Sequence, residues 1–160
     1  MENKEVLLLN SFVTECIKCE EKDNYTINGH LYCDTPIGIL SIYTHVKKSL
    51  TDLNPHIIDG EQLIYDNAWK GMDFCWDLLL KKIKKINPKV IGLSQSYYHG
   101  SKLFHQTVKK IKELIPETII VAGGNYPTDA TDIVLDDPNV DYVIKSEGEV
   151  TFADFLKKYY

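Results

Sequence analysis

Three segments of the chain run from a β-branched apolar stretch straight into small or polar residues. They are Val90–Tyr98 (VIGLSQSYY), Thr118–Thr128 (TIIVAGGNYPT) and Asp141–Thr151 (DYVIKSEGEVT). A short continuous apolar run suits a strand covered on both faces, which means a parallel sheet. Endings rich in Ser, Gly and Glu place hydrogen-bonding groups at the carboxyl edge, where open α/β sheets bind their ligands. Three such endings predict one molecule held across the top of the sheet.

The rest of the chain supplies the missing layers. Glu5–Leu9 reads as the first strand, and Asn10–Thr35 as a long, polar, irregular loop with a turn at Asn28-Gly29. Pro36 suits a first helical position, followed by Ile39, Tyr43, Val46 and Leu50 at helical spacing. After Pro55, His56–Asp59 reads as a second strand and Gly60–Gly71 as another loop. Asp73 is expected to cap a helix with Trp76, Leu79, Ile83 and Ile86 on one face, which Asn87-Pro88 ends. Lys89–Ser94 is the third strand. Ser101 is expected to cap a helix burying Phe104, Val108, Ile111 and Ile115. Thr118–Ala122 is the fourth strand, Ala130–Leu135 a weak helix and Tyr142–Lys145 the fifth strand. A last helix starts near Glu149 and buries Phe152, Phe155 and Leu156. Strands alternating with helices predict a doubly wound, five-stranded parallel sheet of order 2-1-3-4-5, Rossmann- or flavodoxin-like, with a crevice between strands one and three.

Composition narrows the functions. A length of 160 residues fits a single domain, residues 1–160. The formal net charge is -5, from 18 basic and 23 acidic residues, which argues against nucleic-acid binding. The lysine runs 81-82-84-85 and 109-110-112 fall on helices and read as solvated faces. No run of about 18 apolar residues predicts a membrane span. The start, MENKEVLLLN, enters a strand directly and offers no signal peptide, so the expected location is the cytoplasm, with Cys16, Cys19, Cys33 and Cys75 as reduced thiols. The chain stops within or just after a helix at Lys157-Lys158-Tyr159-Tyr160, which suggests the N-terminal part of a larger protein.

The candidate ligand residues are the strand endings: Asn10 and Ser11; Ser94, Gln95, Ser96 and Tyr97; Gly123, Gly124, Asn125 and Tyr126; Ser146, Glu147, Gly148 and Glu149. Glycines allow close backbone approach. Serine hydroxyls donate or accept, and helix-start N–H groups are open donors. Each has a plainer reading. Gly123-Gly124 forms a tight turn, and Ser94 and Ser96 are caps or satisfied loop polars. Glu147 and Glu149 compensate a helix dipole rather than act as an acid/base pair. Tyr97, Tyr98 and Tyr126 stack on a flat ligand or simply line loops. His99, beyond strand three, approaches a ligand or is solvated. Beside their reading as reduced thiols, Cys16-x-x-Cys19 with Cys33 has two others: part of a zinc or cluster site with no fourth ligand evident, or a redox disulfide Cys16–Cys19. Phosphate-loop and dinucleotide fingerprints are absent.

In their order, these motifs resemble the cobalamin-binding domain found at the front of radical S-adenosylmethionine enzymes. Pro36-Ile37-Gly38-Ile39-Leu40 resembles that family's proline-glycine helix start, and Val90–Ser94 its strand ending in Gly-Leu-Ser. Gly123–Thr128 resembles its Gly-Gly-x-x-Pro/Ala-Thr turn. Val140–Phe152 resembles its Val-Asp-Tyr strand with a Gly-Glu-Gly-Glu turn, Ser146 standing for the first glycine. The resemblance covers residues 36–156 and implies cobalamin as cofactor and partner. The Asp-x-His-x-x-Gly motif that supplies a lower cobalt ligand is missing, since the chain has Asp34-Thr35-Pro36-Ile37-Gly38. The resemblance therefore implies base-off cobalamin with no protein histidine on cobalt and no metal-ligating residue in this chain. It also implies that an iron–sulfur cluster and S-adenosylmethionine belong to a downstream radical domain, because no Cys-x3-Cys-x2-Cys occurs here. The implied parent is a methyltransferase, and the isolated chain has no catalytic residue. Two alternatives stay open. One is a degenerate domain serving as scaffold or partner-recognition module without cofactor. The other is a flavodoxin- or response-regulator-like domain, which Asn10-Ser11 in place of acidic residues disfavours.

Overall fold

The computed structural model describes residues 3–17, 26–28 and 35–160, with the backbone alone for 16–17 and 26–28. In chain order the elements are β1 (Glu5–Asn10), β2 (Glu15–Ile17), β3 (Thr26–Asn28), α1 (Ile37–Ser49), β4 (Asn54–Asp59), α2 (Gly60–Asn67), α3 (Met72–Ile86), β5 (Val90–Ser94), α4 (Ser101–Leu114), β6 (Ile119–Gly123), α5 (Asn125–Asp129), α6 (Thr131–Leu135), β7 (Tyr142–Val143) and α7 (Glu149–Tyr159). The main sheet runs β4-β1-β5-β6-β7, every pair parallel. This is the expected order 2-1-3-4-5.

The apolar strands divide two cores by their period of two. Leu7, Leu9, Ile91, Leu93, Ile120 and Ala122 face the layer of α2–α6. Val6, Leu8, Val90 and Val121 face α1 and α7, meeting Ile39, Val46, Phe152, Ala153 and Leu156. Gly92 lies on this second face. A Cβ there would sit 2.9 Å from Leu8 Cδ2 and 3.0 Å from Phe152 Cζ. The missing side chain lets Phe152 seat on the sheet, a burial worth roughly 1.5–3 kcal/mol.

Several expectations are corrected. Gly60–Gly71 is not a loop: it forms α2 and a 3-10 turn at Ala68–Lys70. Asp59 caps α2 by accepting from the Glu61 N–H at 3.1 Å, and Leu63 and Ile64 bury its inner face. Gly60, expected to start a loop, opens the helix, and a Cβ there would fall 2.7 Å from the Asn10 carbonyl oxygen. The stretch Asn10–Thr35 is not wholly irregular, since β2 and β3 pair antiparallel, Cys16 opposite Ile27. Strands of three residues are too short to carry a readable period.

Asp73 and Ser101 cap nothing. The caps of α3 and α4 are Gly71, at φ 85°, and Gly100, with no side-chain bond at either. Of Gly123–Thr128, matched to a turn by resemblance, the part from Asn125 on belongs to the short helix α5, which tolerates Pro127 in its first turn. Phe155 is only partly buried and stacks against Tyr159, ring centroids 5.8 Å apart. The Gly29 half of the Asn28-Gly29 turn, His30, Asp34, Cys19 and Cys33 lie outside the described residues, as does the Cys16 side chain.

Candidate functional site

The carboxyl edge brings the strand endings side by side: Asn10 pairs in register with Ser94, and Ser94 with Gly123. Two adjoining cavities open there. The first, about 140 Å³, is a slot between the sheet and the helices α1 and α7. Its walls are apolar (Leu8, Ile39, Ile42, Val121, Ile144, Phe152), and its mouth carries Ser94, Gly123, Gly124 and residues 146–149. The second, about 160 Å³, lies between the end of β1 and the start of α1, edged by Asn10, Ser96, Tyr97 and the buried Glu61. Gly38, Ile39 and Ser94 border both, which makes one continuous crevice.

The glycines here do different work. A Cβ on Gly38 would meet nothing within 4 Å, and one on Gly123 would meet only the Ile144 carbonyl oxygen at 3.8 Å. Side chains at these two positions would project into open crevice, so both leave room for a ligand. Gly124 is another matter. Its φ is 94°, and a Cβ would lie 2.6 Å from the Gln95 carbonyl oxygen. The fold itself requires that glycine, so the expectation that both members of the pair serve the ligand holds its rationale only for Gly123.

The fourteen candidate residues separate by position. Ser94, Gly123, Gly124, Ser146, Glu147, Gly148 and Glu149 border the slot. Asn10, Ser96 and Tyr97 border the second cavity, with Asn10 Nδ2 donating to Asp59 Oδ1 at 2.9 Å. Four border neither. Ser11 is buried, its N–H donating to the Ser94 carbonyl at 2.9 Å and its hydroxyl 3.4 Å from that of Thr107. Asn125 is exposed at the start of α5. Tyr126 is buried with its hydroxyl 2.9 Å from His105 Nε2. Gln95 is wholly buried and acts as a tie. Its Nε2 donates to the carbonyls of Phe12 at 3.1 Å and Gly100 at 3.2 Å, and its Oε1 accepts from the Tyr97 N–H at 3.2 Å. Side chains alternate across a strand, so Ser94 and Ser96 face the crevice while Gln95 points into the protein.

Polar groups at the mouth are specific in state. The half-buried Ser94 hydroxyl has no hydrogen-bond partner among the described residues. Ser146 adopts φ 60°, a left-handed conformation that favours glycine, and its N–H donates to Thr128 Oγ1 at 3.2 Å. A hydrogen bond from Ser41 holds the Glu149 carboxyl below its ordinary range, aided by its own backbone N–H and by His45 and opposed by burial. A carboxylate held ionised at a helix start suits dipole compensation and not general-acid duty. Glu61 Oε1 accepts from the N–H groups of Val13, at 2.6 Å, and Thr14, at 3.2 Å, which fixes the exit of β1.

Four histidines fall among the described residues, and none borders either cavity: His45, His56, His99 and His105. His99 is exposed, its ring 5.3 Å from that of Tyr97. Among the described residues, no group of three or more His, Cys, Asp or Glu could hold a metal ion, and no helix is long and apolar enough to cross a membrane. Cys75 is a buried thiol of the core. Sequence reasoning missed Gly38 as a site residue, although it quoted the Pro-Ile-Gly start that carries it. It also missed Ile42, on the helix α1 that was expected but off the Ile39-Tyr43-Val46-Leu50 spacing, and Glu61, which gave no signal because α2 was not foreseen.

The family described as the B12 binding domain matches residues 35–156. The chain is also 33% identical over 131 residues to the cytidylyl-2-hydroxyethylphosphonate methyltransferase of Streptomyces wedmorensis, an alignment covering 78% of this chain and 24% of that protein. The chain thus spans about a quarter of the length of that curated relative.

Proposed function

The chain belongs to the B12-binding domain family, and we propose that it holds cobalamin over the carboxyl edge of its sheet, with the cofactor's nucleotide tail in the slot under α1 and α7. One observation carries this reading. Gly38 and Gly123 leave open space beside an apolar slot, and the Ser94 hydroxyl, without a hydrogen-bond partner among the described residues, stands at its mouth. A flat aromatic base needs such walls, and a phosphate or sugar needs such a donor. Asn10, Ser96 and Tyr97 would face the corrin side, and the backbone around Ser146–Glu149 would close the tail side.

When bound, a corrinoid supplies a metal centre that carries an alkyl group or an electron. This chain's own residues would bind and orient it and keep water from the tail. The stretch Asp34-Thr35-Pro36-Ile37-Gly38, standing where an Asp-x-His-x-x-Gly motif would supply a lower ligand, supports base-off cobalamin with no imidazole from the protein on cobalt. The relative is named a methyltransferase, which supports methyl transfer as the reaction of a parent enzyme. In that reading residues 1–160 are one cofactor domain, and the S-adenosylmethionine site and iron–sulfur cluster belong to a separate radical domain.

Titration with hydroxocobalamin followed by absorbance tests the binding. No binding at high micromolar cobalamin would favour a scaffold domain without cofactor. Electron paramagnetic resonance of the cob(II)alamin form tests the ligation: nitrogen splitting from a protein imidazole would sink the histidine-free arrangement.

A further inference from the structure

The turn between β6 and α5 forms one side of the slot, yet nothing in its own side chains fixes it. Gly123 has open space beside it, Gly124 sits at φ 94°, and α5 has only five residues and no side-chain cap. Two backbone bonds hold the turn to β5: Gln95 N–H to the Gly123 carbonyl at 3.0 Å, and Tyr126 N–H to the Gln95 carbonyl at 3.1 Å. On α5 itself, Thr128 Oγ1 accepts from the Ser146 N–H at 3.2 Å, and the buried anchor is the Tyr126 side chain. Its ring is buried edge-on against Phe104 and Tyr98, at centroid distances of 5.7 and 5.2 Å. Its hydroxyl meets His105 Nε2 at 2.9 Å, and His105 Nδ1 lies 2.6 Å from Asp137 Oδ2. The other oxygen of Asp137 accepts from the N–H and side-chain amide of Asn139 at 2.9 and 2.8 Å. One chain of hydrogen bonds therefore joins α5, α4 and the turn before β7.

We propose that His105 is a positioning residue of the ligand site, setting the Gly123–Gly124 turn through the Tyr126 hydroxyl; this rests on the reading of the slot as the seat of a corrinoid tail. His105, Asp137 and Tyr126 border neither cavity, so any effect on a ligand is indirect, through the turn or through Tyr98, whose ring packs on Tyr126. The arrangement also tolerates a change of proton. A neutral imidazole with its proton on Nδ1 donates to Asp137 and accepts from the tyrosine. A protonated one donates to both, and a hydroxyl serves in either role.

The test compares cobalamin with cobinamide, a corrinoid lacking the nucleotide tail, in absorbance titrations of the full chain. Wild type binds cobalamin more tightly. Tyr126→Phe, which removes one oxygen from a buried ring, and His105→Ala each weaken cobalamin about tenfold and leave cobinamide unchanged. The double variant is no weaker than the poorer single one, because both act through one contact. His105→Gln, which offers the hydroxyl a new partner, recovers part of the loss. Folded variants that bind both corrinoids as wild type does would overturn the role of His105. A wild type that binds the two corrinoids alike would sink the tail reading instead, and His105 is then judged by whether the variants weaken both. A readout without ligand stands beside these: Tyr126→Phe should speed hydrogen exchange at the Tyr126 amide, and unchanged exchange would overturn the proposal whatever the domain binds.

Discussion

The side-chain amide of Gln95 donates to the Phe12 carbonyl across 3.1 Å, tying the end of β5 to the segment that leaves β1. The same amide reaches Gly100 and Tyr97, so one buried side chain sets two of the loops around the crevice. Gln95→Leu keeps the approximate volume and removes every partner. Leaving the Phe12 and Gly100 carbonyls and the Tyr97 N–H without it should cost about 3 kcal/mol or more, at roughly 1–3 kcal/mol for each of the three groups left unmade. Urea denaturation measures this, and a loss under 1 kcal/mol would mean that water replaces the amide.

The two glycines after β6 should separate under mutation. Gly124→Ala places a Cβ 2.6 Å from the Gln95 carbonyl oxygen in a left-handed residue, and should destabilise the fold by about 1–3 kcal/mol or more. Gly123→Ala meets only open space and should fold normally, yet lower cobalamin affinity. Equal melting temperatures for the two variants would contradict the separation.

Gly38→Ala should carry opposite signs for stability and binding. The residue is the second of α1, where alanine is favoured over glycine by up to about 0.5 kcal/mol, less than in a helix interior, and its Cβ meets no protein atom within 4 Å. The added methyl enters the crevice. Thermal denaturation should show a stabilised domain, and the cobalamin titration a weaker one. Undiminished affinity would place the ligand elsewhere.

Asp137 should give the domain an acid-sensitive component of stability. Burial pushes its carboxyl up, but hydrogen bonds from His105 and Asn139 outweigh burial and hold it below its ordinary value of 3.8. The unfolded chain therefore binds more protons in this window. The stabilisation is present in full above the unfolded value and is lost as pH falls through the folded one. Wild type should lose melting temperature more steeply below pH 3.8 than Asp137→Asn does. Glu5 and Glu149, also held low, contribute to both proteins and cancel in the difference. Parallel acid limbs would remove Asp137 from the account.

The sheet was legible because Leu7/Leu9 against Val6/Leu8, and Ile91/Leu93 against Val90, are continuous apolar runs that only a doubly covered strand explains. The edge of the sheet followed from where those runs stop, and there Ser94 and Gly123 lie side by side on the crevice. What the sequence left open is side-chain direction within each ending, Gln95 being read either as a ligand residue or as facing the opposite side. Gln95 lies between two crevice residues and faces the interior, and Tyr126 lies two beyond a glycine whose positive φ turns the chain away. Helix α2 was hidden because its glycine start reads as a breaker until the Asn10 carbonyl is seen packed against it.

Leu8, Val121 and Phe152 belong at once to the core beneath α1 and α7 and to the wall of the slot. An occupant of that slot is therefore also a missing piece of the core, and cofactor supply becomes a determinant of how long the folded chain survives. At a free concentration a hundredfold above the dissociation constant, binding would add about 2.7 kcal/mol to the unfolding free energy. Burial of those apolar walls by the ligand would lower the heat capacity on binding. Cobalamin should accordingly raise the melting temperature more than cobinamide does at equal saturation, and a cell starved of corrinoid should hold less of the folded protein.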